Sequence, residues 1–131
     1  CQTILPLLIN DLLDLILSCC DETLESQNIV WEEKKSMCVV LCSNGYPDIY
    51  KKNIEIPKIQ KIDNNDSFFI YHAGTKKKDN KVYAIGGRVL NFVSISDSFK
   101  SSRDKVIKEI ENLNWENGFY RRDIGYKIID K

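Results

Sequence analysis

The chain has 131 residues, of which 43% are hydrophobic and 29% charged, and these values favour one compact soluble domain that also carries a piece of a neighbour. Nineteen Lys and Arg residues balance nineteen Asp and Glu residues, and this zero net charge argues against nucleic-acid and membrane-surface roles. No apolar run reaches the roughly 18 residues that span a bilayer. The longest candidate, from Ile4 to Leu17, is interrupted by Asn10, Asp11 and Asp14.

The chain opens with Cys1 instead of Met, and no basic residues precede its first apolar stretch, so a signal peptide is not expected. We expect a segment of a longer polypeptide, or a processed product. The cysteines are odd in number and form no Cys-x-x-Cys knuckle, which argues against zinc and against a secreted disulfide framework. The pattern favours buried, reduced thiols in a cytoplasmic protein, at Cys1, Cys19, Cys20, Cys38 and Cys42.

The first predicted element is an amphipathic helix that begins near Pro6 and ends near Cys19 and Cys20. Its apolar residues recur at helical spacing: Ile9, Leu12, Leu13, Ile16 and Leu17. Its polar residues fall on the opposite face: Asn10, Asp11, Asp14 and Ser18. Because the apolar stripe is wide, we expect preceding sequence to pack on it.

The middle of the chain reads as a connector followed by strands. Residues 21–36 are polar and acidic, with at most a short strand or helical turn. Residues 37–41 are rich in β-branched side chains and predict a buried strand, which the turn chemistry of residues 42–47 closes. Residues 53–62 alternate loosely around Pro57, which predicts an edge strand and a loop.

Two apolar arms flank a polar, turn-forming centre between Tyr71 and Leu90, the pattern of a β-hairpin. Residues 67–72 form one predicted strand, and residues 81–85 pair back either on it or on residues 75–77. The second arm ends in Gly86, Gly87 and Arg88. Paired glycines allow close approach of the backbone, and an adjacent arginine supplies a fixed cation. The combination predicts a pocket for a small anion.

The clearest strand, at residues 88–95, precedes a helix that Asp97 or Ser98 caps. The helix has one apolar face, consisting of Phe99, Val106, Ile110 and Leu113. The last piece, FYRRDIGYKII, has strand-like ends. The predicted fold class is therefore α+β: an N-terminal helix, a mainly antiparallel sheet, and one long helix packed on the sheet.

Four motifs occur in order along the chain: CVVLCSNGYP, HAGTK, GGRVL and FYRRDIGYK. Together they resemble the C-terminal part of the phosphoribosylamine–glycine ligases, an ATP-grasp family of purine biosynthesis, and the resemblance extends over the whole chain. It implies two parts: residues 1–35 as the end of an ATP-grasp domain and residues 36–131 as the small C-terminal domain.

The resemblance further implies a cytoplasmic enzyme that joins glycine to 5-phosphoribosylamine through a glycyl phosphate, with ATP hydrolysed to ADP and phosphate. The ATP and Mg²⁺ (or Mn²⁺) ligands of the family precede the position of Cys1, so this segment by itself should hold no catalytic residue and no metal. Its expected partners are the small-molecule substrates and the remainder of the same enzyme, with neither nucleic acid nor membrane.

By similarity to related ATP-grasp ligases, Arg88 is expected to hold the ribose 5-phosphate of the substrate, beside main-chain N–H groups of Gly86 and Gly87. Thr75 and Lys76 would add a hydroxyl and a second charge, and His72 is a further substrate-binding candidate.

Each assignment has a plainer alternative. Arg88 could form a surface ion pair, His72 could be a hydrogen-bonded structural residue, and Lys76 could belong to a solvated turn. The segment Arg121–Asp123 could form an internal salt-bridge cluster or line the cleft. For the whole chain, the alternative is a non-catalytic α+β interaction domain that packs on a partner.

Overall fold

A computed structural model describes residues 1–129, and within them the chain forms two antiparallel sheets and three α-helices. The larger sheet has the strand order β3-β6-β1-β7, and the smaller has the order β2-β5-β4. This arrangement confirms the α+β fold class. The elements are α1 Leu12–Cys20, β1 Lys35–Ser43, β2 Ile54–Glu55, β3 Phe68–His72, β4 Thr75–Lys78, β5 Lys81–Ala84, β6 Arg88–Ser96, α2 Phe99–Leu113, β7 Gly118–Phe119 and α3 Tyr126–Ile129.

The long helix α2 packs on β1 and β6, as expected for the core of an α+β domain. Its buried residues are Ser102, Val106, Ile110 and Leu113. Of the two predicted caps, Ser98 is the N-cap, because its hydroxyl accepts a hydrogen bond from the Ser101 N–H at 3.1 Å. Asn114 ends the helix in the left-handed conformation, with φ +50°.

The N-terminal helix starts later than predicted. Pro6 lies in a short 3₁₀ turn at Leu5–Leu7, and α1 begins only after Asp11, whose carboxylate accepts from the Leu13 N–H at 2.7 Å. Just before it, Asn10 bonds instead to the backbone of a later extended segment, accepting from the Val30 N–H at 2.7 Å. Asn and Asp side chains compete for backbone groups in this way, which is why the apolar periodicity overestimated the helix.

The apolar stripe predicted for the N-terminal helix faces solvent within the described residues. Its members are between 43% and 62% exposed: Ile9, Leu12, Leu13, Ile16 and Leu17. The buried residues of α1 are instead Leu15 and Ser18, and the Ser18 hydroxyl donates to the carbonyl of Asp14 at 2.9 Å. Ser18, which the sequence places opposite the apolar stripe, is therefore a buried polar residue of this helix.

The predicted hairpin consists of β4 and β5, which is the second of the two pairings considered. Its two-residue turn is Asp79–Asn80, with φ +48° and +58°, the positive φ values that two-residue hairpin turns require. Strand β3 pairs with β6 in the other sheet. The chain therefore passes from the larger sheet to the smaller one between His72 and Thr75 and returns between Ala84 and Arg88.

The C-terminal segment has one strand-like end and not two. Gly118–Phe119 pairs briefly with β1, whereas Tyr126–Ile129 is helical. Gly125, with φ +84°, precedes this last helix and permits the change of direction.

None of the five cysteines is fully buried, so the prediction of buried thiols was wrong. Cys1, Cys19 and Cys20 are exposed, and Cys38 and Cys42 are only partly buried. The last two lie on the face of β1 that points away from α2, because β1 side chains alternate between its faces. No helix within residues 1–129 has the length and apolar character needed to cross a membrane.

Candidate functional site

A β-bulge in β6 determines where Arg88 points. Along the ladder Val40 pairs with Asn91 and Leu41 with Leu90, but the next residue, Cys42, pairs with Arg88. One extra residue, Val89, therefore enters β6 at this point. Val89 and Leu90 are both fully buried in the core. The bulge thus turns Arg88 onto the outer face of the sheet, which is the face that points away from α2. Strict alternation would have placed Arg88 on the opposite face, with Leu90.

This outer face contains a cavity of about 540 Å³ around Arg88. Its lining includes one cation and several neutral polar groups, and no carboxylate among the described residues. The lining residues are Gln2, Val40, Tyr46, Ala73, Gly74, Gly87, Arg88 and Asn91. A concave site with a single uncompensated positive charge is suited to a small anion.

The guanidinium of Arg88 is exposed and forms no ion pair with any carboxylate in the described part of the chain. The surface ion pair considered as its alternative role is therefore not formed here. Across the ladder, partial burial raises the pKa of the Cys42 thiol, and the positive charge of Arg88 acts in the opposite direction. Arg88 thus places a positive potential at this end of the sheet.

Three glycines at the cavity are in close backbone contact with their neighbours, and two of them, Gly74 and Gly87, line it. Gly86 and Gly74 touch: a Cβ on Gly86 would lie 2.9 Å from the Gly74 Cα, and a Cβ on Gly74 would lie 2.6 Å from the Gly86 Cα. The ring of Tyr46 covers Gly87, and a Cβ there would lie 2.0 Å from its Cδ2 atom. Both contacts exclude a side chain, which explains the Gly86–Gly87 pair in packing terms.

The main-chain N–H groups of the glycine pair differ in availability. The Gly86 N–H donates to the Gly74 carbonyl at 3.1 Å. For Gly87, no main-chain acceptor is found within residues 1–129, while its carbonyl accepts from the Ser43 N–H at 2.8 Å. Of the two predicted donors, only the Gly87 N–H is left for a ligand.

His72 and Thr75 lie next to a second cavity, of about 410 Å³, together with Ile59, Gln60, Lys77 and Val82. Their side chains share a hydrogen bond of 2.9 Å between Nδ1 and Oγ1. Lys76 belongs to neither cavity. It pairs with Tyr83 across the hairpin, on the opposite face from the Thr75–Ala84 pair. The six predicted residues therefore divide into Arg88 with its glycines, the His72–Thr75 pair, and an isolated Lys76.

Sequence reasoning missed Gln2, Tyr46 and Asn91 as lining residues of the Arg88 cavity. Asn91 had a local signal, since it is a polar residue within the apolar strand sequence RVLNFVSIS. Gln2 and Tyr46 had none, because long-range folding alone brings them to the site.

The segment Arg121–Asp123 forms ion pairs of the predicted structural kind. Arg121 binds Asp123 through two hydrogen bonds of 3.0 and 2.6 Å, and Arg122 lies 3.8 Å from Glu111. The Arg121 guanidinium lowers the pKa of the Asp123 carboxyl.

Within residues 1–129 no three His, Cys, Asp or Glu side chains cluster as a metal ion would require.

The family model described as "Phosphoribosylglycinamide synthetase, C domain" matches residues 36–127. The phosphoribosylamine–glycine ligase of Caldanaerobacter subterraneus is 42% identical over 94% of this chain and 29% of its own length. That of Fusobacterium nucleatum is 39% identical over 95% of this chain and 29% of its own length. The trifunctional purine biosynthetic protein adenosine-3 of Gallus gallus is 36% identical over 98% of this chain and 13% of its length.

Among solved structures, the phosphoribosylamine–glycine ligase of Thermotoga maritima is similar, with a TM-score of 0.61 and 27% identity over 82% of this chain. The match covers 27% of the Thermotoga chain. The chain thus spans less than a third of the length of the ligases that it resembles.

Proposed function

Because the chain belongs to the phosphoribosylglycinamide synthetase C domain family, we propose that it is the C-terminal segment of a phosphoribosylamine–glycine ligase. The complete enzyme would join glycine to 5-phosphoribosylamine and hydrolyse ATP to ADP and phosphate, in the cytoplasm. The names of the relatives above, two of them ligases and one a trifunctional purine biosynthetic protein, support this assignment.

In this proposal, residues 1–35 end an ATP-grasp domain and residues 36–131 form the C domain. The start of the family match at residue 36 supports the division. ATP and Mg²⁺ (or Mn²⁺) would be bound by the upstream part of the enzyme, which supplies the phosphorylation chemistry. The segment described here would contribute substrate contacts and no catalytic residue.

The observation that carries the proposal is the guanidinium of Arg88, which has no ion pair within residues 1–129 and lies in a cavity lined without carboxylates. Arg88 would bind the 5-phosphate of the substrate through its planar fork of donors, and the Gly87 N–H would add a main-chain donor. Holding the phosphate fixes the position of the amine at the other end of the sugar. That orientation favours attack on the acyl phosphate by proximity, without proton transfer from Arg88.

His72, Thr75 and Lys76 remain predicted substrate contacts. The His72–Thr75 hydrogen bond orients the imidazole at the neighbouring cavity, so a substrate that extends beyond Gly74 and Gly86 would meet this pair first. Lys76 would contact the substrate only if the substrate reached the face of the hairpin opposite Thr75.

The upstream part of the same polypeptide is the proposed partner of α1. The helix exposes a row of large apolar residues that would face water at a substantial free-energy cost. The ligases that match this chain are about three times as long, which supports a covering domain within the same polypeptide.

The test is the affinity of the complete enzyme for glycinamide ribonucleotide, measured by isothermal titration. Arg88→Ala should weaken binding about 10-fold to 100-fold, because a charged hydrogen bond contributes roughly 1.5–3 kcal/mol. Arg88→Lys should lose part of this affinity, since Lys keeps the charge and lacks the fork. Lys100→Ala is the matched control, because it removes a positive charge from α2, which follows the far end of β6.

Unchanged affinity in a folded Arg88→Ala enzyme would contradict the phosphate contact. That result would favour the alternative of an interaction domain in which Arg88 and the glycines serve the fold alone.

A further inference from the structure

Asn91 is an unusual residue for its place in β6. Its neighbours Leu90, Phe92 and Val93 have no exposed surface, and Asn91 itself is 8% exposed. Asparagine is depleted in strands, and a buried carboxamide requires hydrogen-bond partners. A Leu or Val would suit the strand better, so the presence of Asn calls for a reason outside strand formation.

Within the described residues, the Asn91 side chain makes fewer hydrogen bonds than a carboxamide can make. Its Nδ2 atom donates to the Tyr71 carbonyl at 3.5 Å, which is the outer limit for such a bond. No described residue donates to its Oδ1 atom, although a carboxamide oxygen can accept two hydrogen bonds. The side chain therefore has an acceptor to offer.

The acceptor belongs to the same cavity as Arg88. The bulge at Val89 places Arg88 and Asn91 on one face of the sheet, and both line the 540 Å³ cavity. A ligand whose phosphate lies on Arg88 therefore occupies a cavity that Asn91 also lines. No carboxylate lies among the lining residues, and Arg88 is their only cation. The Asn91 oxygen is therefore a neutral hydrogen-bond acceptor in a cavity whose charge is positive.

We propose that Asn91 determines which phosphorylated ligands the Arg88 cavity accepts. Its Oδ1 atom accepts a hydrogen bond from a hydroxyl or amine of a phosphorylated sugar amine, while Arg88 holds the phosphate. This inference rests on the proposed function, and it adds a residue that distinguishes the sugar amine from a bare phosphate ester. A site whose oxygen pairs with a ligand donor favours ligands that carry this donor over analogues that lack it.

The experiment compares two ligands on the complete enzyme: glycinamide ribonucleotide and methyl phosphate, which carries the phosphate without the sugar. Asn91→Leu has nearly the same shape and removes both polar atoms. It should weaken binding of glycinamide ribonucleotide about fivefold or more and leave methyl phosphate unchanged. The melting temperature should stay equal or rise, since the apolar side chain suits the strand.

Ser94→Ala is the matched control, because it removes another buried polar group of β6 whose hydroxyl has no partner within residues 1–129. It should leave both affinities unchanged. If Asn91→Leu fails to fold, Asn91→Ala gives the same comparison through the ratio of the two affinities.

A smaller loss than fivefold for the sugar phosphate, in a variant that folds, would overturn the role of Asn91. An equal loss for both ligands would also overturn it, since the residue would then act on the phosphate or the fold. The proposed function fails by a different result, namely unchanged binding in Arg88→Ala, so the two hypotheses can be separated.

Discussion

At the scale of single residues, the contact between Gly87 and Tyr46 makes a stability prediction. The Tyr46 ring occupies the space that a Cβ on Gly87 would need. Gly87→Ala should therefore lower the free energy of unfolding by about 1–3 kcal/mol, the usual cost of overpacking, measured by urea denaturation. Tyr46→Ala removes the ring, so Gly87→Ala should cost less in that background, and the double-mutant cycle should show coupling.

Ala73→Ser is the control for this cycle, because Ala73 is exposed and lines the same cavity. If the Gly87 and Tyr46 substitutions were strictly additive, the ring contact would not be the reason for the glycine.

Arg88 and Asn91 show how far residue types alone lead toward the site. The Gly-Gly-Arg motif pointed to Arg88, because glycines beside a cation have a chemical meaning without any knowledge of the fold. In the sequence, Asn91 differed from its neighbours only as a polar residue within an apolar strand. Its proposed role depends on the cavity, which no local pattern describes.

At the scale of elements, Arg103 of α2 holds the loop that precedes α3. The Arg103 Nε atom donates to the Ile124 carbonyl at 2.9 Å, and the Arg103 Nη2 atom donates to the Arg122 carbonyl. Arg103→Met keeps much of the side-chain bulk and removes these bonds, so it should lower the free energy of unfolding by about 1–3 kcal/mol. Denaturation measures the loss, and hydrogen exchange should increase in residues 122–129.

Lys108→Met is the matched substitution, because Lys108 is an exposed cation of the same helix. Equal effects of the two changes would show that α2 charge, and not the loop contact, determines stability here.

The bulge at Val89 is an element-scale feature that the sequence did not reveal. The apolar side chains of residues 88–95 predict a strand correctly, but they do not predict an extra residue, because the register depends on the partner strand. The hairpin turn was predictable for the opposite reason. Asp79 and Asn80 accept positive φ through their own side-chain chemistry, a local property.

At the scale of the whole molecule, the exposed stripe of α1 predicts how the complete polypeptide is assembled. If the upstream part covers Leu13, which is 62% exposed here, then Leu13→Lys in the complete enzyme buries a charge and removes an apolar contact. The free energy of unfolding should fall by about 2–5 kcal/mol, as for large core substitutions.

Asp14→Lys places the same side chain at the next, exposed polar position of α1 and should cost less than about 1 kcal/mol. Equal tolerance of both substitutions in the complete enzyme would contradict the covering of α1 by upstream sequence.

The sequence by itself determined the α+β class, the long helix α2, the hairpin turn and the family of the chain. These features follow from local patterns of the sequence, namely apolar periodicity, turn chemistry and short motifs. Only the tertiary structure decided the strand register, the separation of His72 and Thr75 from Arg88, and the placement of Asn91 beside Arg88. The physical reason is that a cavity is formed by residues distant in sequence, so its shape follows from strand pairing and packing across the whole sheet.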